Sequence, residues 1–195
     1  VAHDLADPAL RCRLLLAIAD SEVRSFRVAE ARIALLQVIG IAREIGDAES
    51  LARAALTMEG ISDHIWDATA RPLCEEALAG LPDVDSALRA RLLAQLVSLA
   101  SWDDHDDEAR SAQALAMAER VGDRRAIREA LRARQMATSG PGRAAERIGL
   151  GERMISLGAD SDDDTILWGR LWRFDGLTQL GRLDDAEAEL GPIGT

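Results

Sequence analysis

A glycine followed by an aspartate recurs along the chain where one helix-forming segment gives way to the next. Gly46-Asp47 and Gly122-Asp123 are two such junctions, and they lie 76 residues apart. Glycine takes the left-handed backbone conformation that ends many helices, because it has no Cβ to clash. Aspartate accepts a hydrogen bond from a free backbone N–H at the start of the following helix. These junctions therefore predict a succession of helices joined by tight turns.

Two further similarities suggest that the helices form repeats. A looser junction at Gly158 follows Gly122 by 36 residues, and the segment 9–15 is nearly repeated at 87–93, which is 78 residues further on. A period near 36 to 38 residues, with some segments two periods apart, falls within the helical-hairpin repeat classes of roughly 33 to 47 residues. Chance similarity among helices rich in Ala, Leu and Arg is the alternative interpretation.

The periodic pattern predicts an all-α fold, namely a right-handed α-solenoid of about five antiparallel helix pairs. Stacking of pairs buries the apolar faces that no single pair can bury alone. We expect one domain over residues 1–195, excised from a longer protein, because the chain starts without Met and no linker is long enough to divide it. The first expected helix starts at Pro8, and the next three span 28–45, 48–60 and 71–80, with a connection at 61–70. The fifth is capped by Asp83, Asp85 or Ser86, and the sixth runs from the acidic segment 103–108 to Val121. The last four span 123–138, 143–157, 165–180 and 183–190.

The composition excludes several functions. All 23 basic residues are arginine, so the chain has neither a P-loop lysine nor a Schiff-base lysine. The net charge of −11 argues against binding to a nucleic-acid backbone. Cys12 and Cys74 lie in apolar helical patterns typical of buried free thiols in a reducing compartment. With no apolar run long enough for a membrane span and no visible signal peptide, we expect a cytoplasmic protein that does not bind membranes.

Four tryptophans are candidates for a binding surface. Trp168 and Trp172 are four residues apart and so share one helix face, where they form either an aromatic wall for a ligand or partner, or internal packing. Trp66 and Trp102 are 36 residues apart, one period, and either line one groove or close equivalent ends of helix pairs.

A basic stripe is a second candidate for a binding surface. Arg124, Arg128 and Arg132 follow one another at four-residue intervals, with Arg125 adjacent. They would bind an anion or an acidic partner, or else form a solvated face paired with acids of neighbouring repeats.

Metal and cofactor sites are not expected. The acidic runs 103–108 and 160–164 are more typical of helix starts than of calcium loops, which need spaced oxygen ligands and a turn glycine. The histidines lack the spacing of a zinc site, and no nucleophile–base pair is evident. We therefore predict no catalytic residue, no metal and no cofactor.

Two segments resemble known repeat families. The segment 181–186, Gly-Arg-Leu-Asp-Asp-Ala, resembles the turn and second-helix start of tetratricopeptide-type repeats, although the Trp-x2-Leu-Gly-x2-Tyr pattern of their first helix is not met. The segments 87–93, 118–123 and above all 167–173, followed by Leu180-Gly181, resemble the helical-repeat region of large ATP-dependent LuxR-type bacterial transcriptional regulators. These include MalT-like regulators and the AfsR-like regulators of actinomycetes.

The resemblance implies a function for this segment. In such regulators the repeat region lies between an ATPase module and a DNA-binding helix-turn-helix, senses an inducer or partner, and helps assembly. This chain contains neither flanking module. We therefore expect a TPR-like, non-catalytic sensor or protein-interaction domain that binds a protein partner or an effector along its concave face. Self-association into a homo-oligomer is a further option. A stand-alone small-molecule-binding repeat protein is the alternative.

Overall fold

A computed structural model describes residues 7–58, 64–99, 107–140, 142–159 and 163–191 of the 195-residue chain. In these ranges the chain is all-helical, with ten helices and no strand. The helices are α1 (Pro8–Arg24), α2 (Val28–Ile45), α3 (Ala48–Thr57), α4 (His64–Gly80), α5 (Ala87–Ser98), α6 (Asp107–Val121), α7 (Arg124–Ala137), α8 (Ala144–Gly158), α9 (Asp163–Gln179) and α10 (Leu183–Leu190).

The glycine–aspartate junctions stop and start helices as the sequence predicts. Gly46 ends α2 with φ +69°, and Gly122 follows α6 with φ +74°, both in the left-handed region. The Asp47 carboxylate accepts a 3.0 Å hydrogen bond from the Ser50 amide at the start of α3. Asp123 accepts a 2.7 Å bond from the Ala126 amide in α7. Each junction satisfies a backbone donor that the helix itself leaves free.

Ser86 is the residue that caps α5 among the three sequence candidates. Its side-chain oxygen accepts a 3.2 Å hydrogen bond from the Arg89 amide. The Arg89 guanidinium in turn reaches back to the carbonyls of Leu78, Leu81 and Pro82, where α4 ends. Ser86 thus caps the start of α5, and Arg89 binds the free carbonyls at the end of α4.

The predicted connection at 61–70 is wrong from His64 onward. Helix α4 already begins at His64, and Pro72, which together with Arg71 was expected to open this helix, lies in its interior. A proline there removes one backbone hydrogen bond. The helix continues because its buried stripe, Ala70, Leu73, Cys74 and Ala77, runs across the proline at helical spacing. Burial along this stripe overrides the local signal.

The core consists of two clusters that meet at α5. Leu92 and Leu96 on one face of α5 join the cluster formed by α1 to α4, while Leu93 and Val97 on another face join the cluster formed by α6 to α9. Each of α1 to α5 packs on the next helix in sequence, and the odd-numbered helices α1, α3, α5 and α7 also pack in succession. Cys12 and Cys74 are buried free thiols, as predicted.

Helices α8 and α9 make the most extensive contact in the molecule. A Cβ on Gly151 would lie 2.6 Å from the Gly169 carbonyl oxygen, and a Cβ on Gly169 would lie 2.7 Å from the Gly151 carbonyl oxygen. Only glycine at both positions allows the two backbones to approach this closely. None of the helices in the described part of the chain is long and apolar enough to cross a membrane.

Candidate binding groove

A cavity lies along one surface of α1, α3, α5 and α7, and we call it the odd-helix groove. Its volume is about 860 Å³. The α1 wall includes Ala17 and Val23, and the α3 wall includes Leu56 and Thr57, while α5 and α7 each contribute an arginine. The groove exists because successive odd-numbered helices pack side by side and present one face together.

One arginine from each of the four helices lines this groove: Arg13 on α1, Arg53 on α3, Arg91 on α5 and Arg125 on α7. They lie 40, 38 and 34 residues apart in the sequence, close to the repeat period. The groove therefore presents a row of guanidinium groups, the side chains best suited to bind carboxylates through paired hydrogen bonds.

Glu129 joins two of these arginines. Its side chain is only 8% exposed and accepts a 2.6 Å hydrogen bond from Arg91 Nε and a 2.9 Å bond from Arg125 Nε. Because Arg91 is on α5 while Arg125 and Glu129 are on α7, this trio ties the two helices together. Arg91 and Arg125 are thereby held in fixed positions, with part of their charge neutralised.

The acids in the groove wall are also engaged. Glu49 pairs with Arg53 at 2.6 Å, and both side chains are more than half exposed. Asp20 pairs with Arg24, which lies outside the groove lining.

Asp47, the third acid of the wall, holds the first turn of α3. Burial acts to raise the pKa of Asp47, but hydrogen bonds from the Ser50 hydroxyl and amide outweigh this effect and leave the pKa below its usual 3.8. The carboxylate form of Asp47 is thus stabilised mainly by the helix start, with a smaller contribution from the charge of Arg53.

Arg13 differs from every other arginine of the chain. No hydrogen bond, ion pair or ring contact joins it to any residue within the described ranges, and its side chain is exposed in the groove. Of the three acids in the groove wall, Asp20 and Glu49 pair with other arginines and Asp47 is hydrogen-bonded by Ser50. Arg13 therefore adds a positive charge without an ion-pair partner among the described residues, in a protein whose net charge is −11.

The structure separates Trp168 from Trp172, which the sequence places on one face. Trp172 is 6% exposed and belongs to the second core cluster, so its burial favours the packing alternative. Trp168 is 47% exposed and lies at the surface of α9. Neither residue lines the odd-helix groove.

The predicted basic stripe on α7 faces α8 and α9 rather than the groove. Arg124 donates a hydrogen bond to the Leu157 carbonyl near the end of α8. The guanidinium of Arg132 lies 5.9 Å from the centre of the Trp168 ring, a cation–π distance. Arg128 between them is half-buried. The structure thus brings the stripe and Trp168 together into one surface, here called the α7–α9 surface.

Some predicted residues lie outside what the structure describes. Trp102 and most of the acidic run 103–108 fall in the gap 100–106, and the side chain of Trp66 is not described. Within the described ranges, no group of three or more His, Cys, Asp or Glu residues is placed to hold a metal ion.

Sequence reasoning missed three of the four groove arginines, although a signal was present. Arg13 and Arg91 occupy the same position in the repeated segments 9–15 and 87–93. An arginine kept at the same repeat position on two helices is a pattern that core packing does not require. Arg125 was noted only as a neighbour of the α7 stripe, and the structure shows that it faces the groove instead.

In comparisons with known proteins, no protein-family model and no curated protein matches this chain.

Proposed function

We propose that this chain is a non-catalytic helical-repeat module that binds a protein partner in the odd-helix groove. The observation that carries the proposal is the groove itself, with one arginine from each of four successive odd-numbered helices at near-repeat spacing. A face built once per repeat suits an extended partner that contacts several repeats in turn.

The proposal includes the geometry of the repeat. A right-handed, TPR-like solenoid of about five antiparallel helix pairs would place α1, α3, α5 and α7 on its concave side. The succession of contacts among these helices, together with the contact of α2 on α3, α4 on α5 and α6 on α7, supports such stacking. The extensive α8–α9 contact would continue the stack toward its C-terminal end, where α10 packs on α9.

We further propose that the module is the sensor region of a cytoplasmic LuxR-type bacterial regulator. The support is the resemblance carried by segments 87–93, 118–123 and 167–173 together with an all-helical structure. Partner binding in the groove would bias how flanking domains assemble, including association of this segment with itself.

Peptides selected from a displayed random library on the full 195-residue chain test the proposal. Ala17 is exposed and lines the groove, so Ala17→Trp fills the groove without disturbing the core. Ala116 is exposed on α6, outside the groove lining, and Ala116→Trp is the matched control. We expect selected peptides to lose affinity at least about tenfold with Ala17→Trp and to bind the control normally. Peptides that bind both variants equally would contradict the proposal.

A small-molecule effector is a second candidate, favoured by the cavity volume. A cavity of about 860 Å³ is within the range of known ligand pockets, roughly 300–1,000 Å³, and arginines converge on it. Thermal unfolding of the chain in the presence of metabolite pools separates the two functions. A rise in Tm that Ala17→Trp abolishes would favour the small molecule, because peptide partners are absent from such pools.

A further inference from the structure

We propose that the partner segment bound in the odd-helix groove is acidic, and that one of its carboxylates binds Arg13 and Arg53 at the α1–α3 end. This inference rests on the proposed function and specifies the chemistry of the partner. The observation that carries it is one cavity lined both by Arg13, which has no hydrogen bond or ion pair among the described residues, and by Arg53, whose ion pair with Glu49 is exposed.

The charges of the groove point to an acidic occupant. Four arginines line the groove. Three nearby acids pair with arginines, namely Asp20 with Arg24, Glu49 with Arg53, and Glu129 with Arg91 and Arg125, while the Asp47 carboxylate is held at the start of α3 by hydrogen bonds from Ser50. Arg13 is left over. A carboxylate bound there would remove an unbalanced positive charge instead of adding a negative one.

Arg53 is able to change partners at little cost. Its bond to Glu49 joins residues four apart on α3, and both side chains are more than half exposed. Ion pairs of this kind contribute little to stability because solvent screens them. A carboxylate held between Arg13 and Arg53 would receive hydrogen bonds from two guanidinium groups, one of which has no competing acid.

The α5–α7 end has a different role. Arg91 and Arg125 form ion pairs with the nearly buried Glu129. If either arginine left Glu129 to bind another carboxylate, the buried negative charge of Glu129 would lose a partner, which is energetically costly. Both arginines still line the same cavity as Arg13 and Arg53. An extended segment with acids at intervals therefore fits better than a single compact anion, with its strongest contact at Arg13.

The test uses two blocked octapeptides, one alternating glutamate with alanine and one with glutamine replacing each glutamate. Binding to the full chain is measured by fluorescence anisotropy, with each peptide carrying the same dye. We expect the glutamate peptide to bind and the glutamine peptide to bind at least about tenfold more weakly, with the difference shrinking as salt is added.

Three charge-matched variants locate the contact. Arg13→Gln and Arg53→Gln should each weaken binding of the glutamate peptide about tenfold, the effect of losing one charge-assisted hydrogen-bonding partner. Arg182→Gln, in the exposed turn before α10 and outside the groove lining, makes the same change in net charge and should leave binding unaltered. Because Arg13 is exposed and has no hydrogen bond, ion pair or ring contact among the described residues, its variant should keep the wild-type Tm.

Several results would overturn the inference. They are absence of glutamate-peptide binding up to about 1 mM, equal binding of both peptides, or equal loss with Arg182→Gln. If the wild-type chain forms dimers and Arg13→Gln makes it monomeric, the groove binds acidic segments of a second copy, and the inference of an external partner is contradicted. Library-selected peptides that lack acidic residues and lose affinity with Ala17→Trp would support the proposed function and contradict only the preference for an acidic partner.

Discussion

At the scale of single residues, arginine fills roles in this chain that other proteins divide between arginine and lysine. Arg147 is 3% exposed, pairs with Asp175 on α9 and donates a 2.6 Å hydrogen bond to the Ser139 carbonyl. Arg89 binds three carbonyls at the end of α4. The planar guanidinium allows one side chain to satisfy several acceptors at fixed angles. Against this background of engaged arginines, Arg13 stands out as the residue available for an external partner.

The N-cap of α3 gives a pH-dependent prediction. Asp47→Ala removes the acceptor of the Ser50 amide and should lower the free energy of unfolding by about 1 kcal/mol. Asp47→Asn keeps a capping oxygen but loses the charge. Because the folded-state pKa of Asp47 is depressed, the carboxylate stabilises the fold above pH about 4, and this stabilisation is lost as pH falls through the folded pKa. The difference in free energy of unfolding between wild type and Asp47→Asn, measured with urea, should therefore be present above pH about 4 and disappear as pH falls below the folded pKa, whereas a pH-independent difference would contradict the account.

The two tryptophans of α9 provide a second prediction, with one serving as the control for the other. Trp172→Ala empties a core position and should lower the free energy of unfolding by about 3–5 kcal/mol. Trp168→Ala removes a half-exposed ring and its contact with Arg132, which should cost about 1 kcal/mol or less. Denaturant unfolding of both variants checks the ranking. Equal losses would mean that the two rings share one environment after all.

At the scale of secondary-structure elements, the closeness of α8 and α9 is set by glycine. The Gly169 position leaves no room for a methyl group, since its Cβ would lie 2.7 Å from the Gly151 carbonyl oxygen and 2.9 Å from the Ile155 amide nitrogen. Both obstacles are backbone atoms, so a side-chain rotation cannot relieve the contact. The two helices would have to move apart.

Alanine at two glycines tests this contact. Gly169→Ala should lower the free energy of unfolding by about 1–3 kcal/mol, as overpacking does elsewhere. Gly149→Ala, also within this helix pair but with nothing within 4 Å of its Cβ, should raise it by up to about 1 kcal/mol through better helix propensity. Thermal unfolding of both variants measures the contrast. Destabilisation by both, or by neither, would contradict the close-contact explanation.

Local chemistry made most of the helix boundaries predictable. Gly46, Asp47, Gly122 and Asp123 act through backbone conformation and hydrogen bonds within a few residues, and these interactions are visible in the sequence. The start of α4 was not predictable in this way, because helix formation across Pro72 depends on burial against other helices. Trp172 is buried while Trp168, four residues earlier, is half exposed, because the exposure of each ring depends on packing against other helices.

At the scale of the whole molecule, the repeat period is what connects sequence to the candidate site. The period predicts which helices are equivalent, but it does not say which face of each helix they share. The odd-helix groove became visible only once α1, α3, α5 and α7 were seen to present Arg13, Arg53, Arg91 and Arg125 to one cavity. The α7 stripe was a reasonable candidate from spacing alone, yet spacing cannot tell an outward face from one that meets a neighbouring helix. Arg124 and Arg132 contact α8 and α9.

The most direct test of the groove as the binding site is NMR of the arginine side chains. All 23 basic residues are arginine, so the Nε–Hε signals report every basic side chain of the full chain during titration with the glutamate octapeptide. We predict that the signals of Arg13 and Arg53 shift most, followed by those of Arg91 and Arg125, while that of Arg182 stays in place. Shifts confined to Arg128 and Arg132 on the α7–α9 surface, or spread evenly over the exposed arginines, would contradict the account.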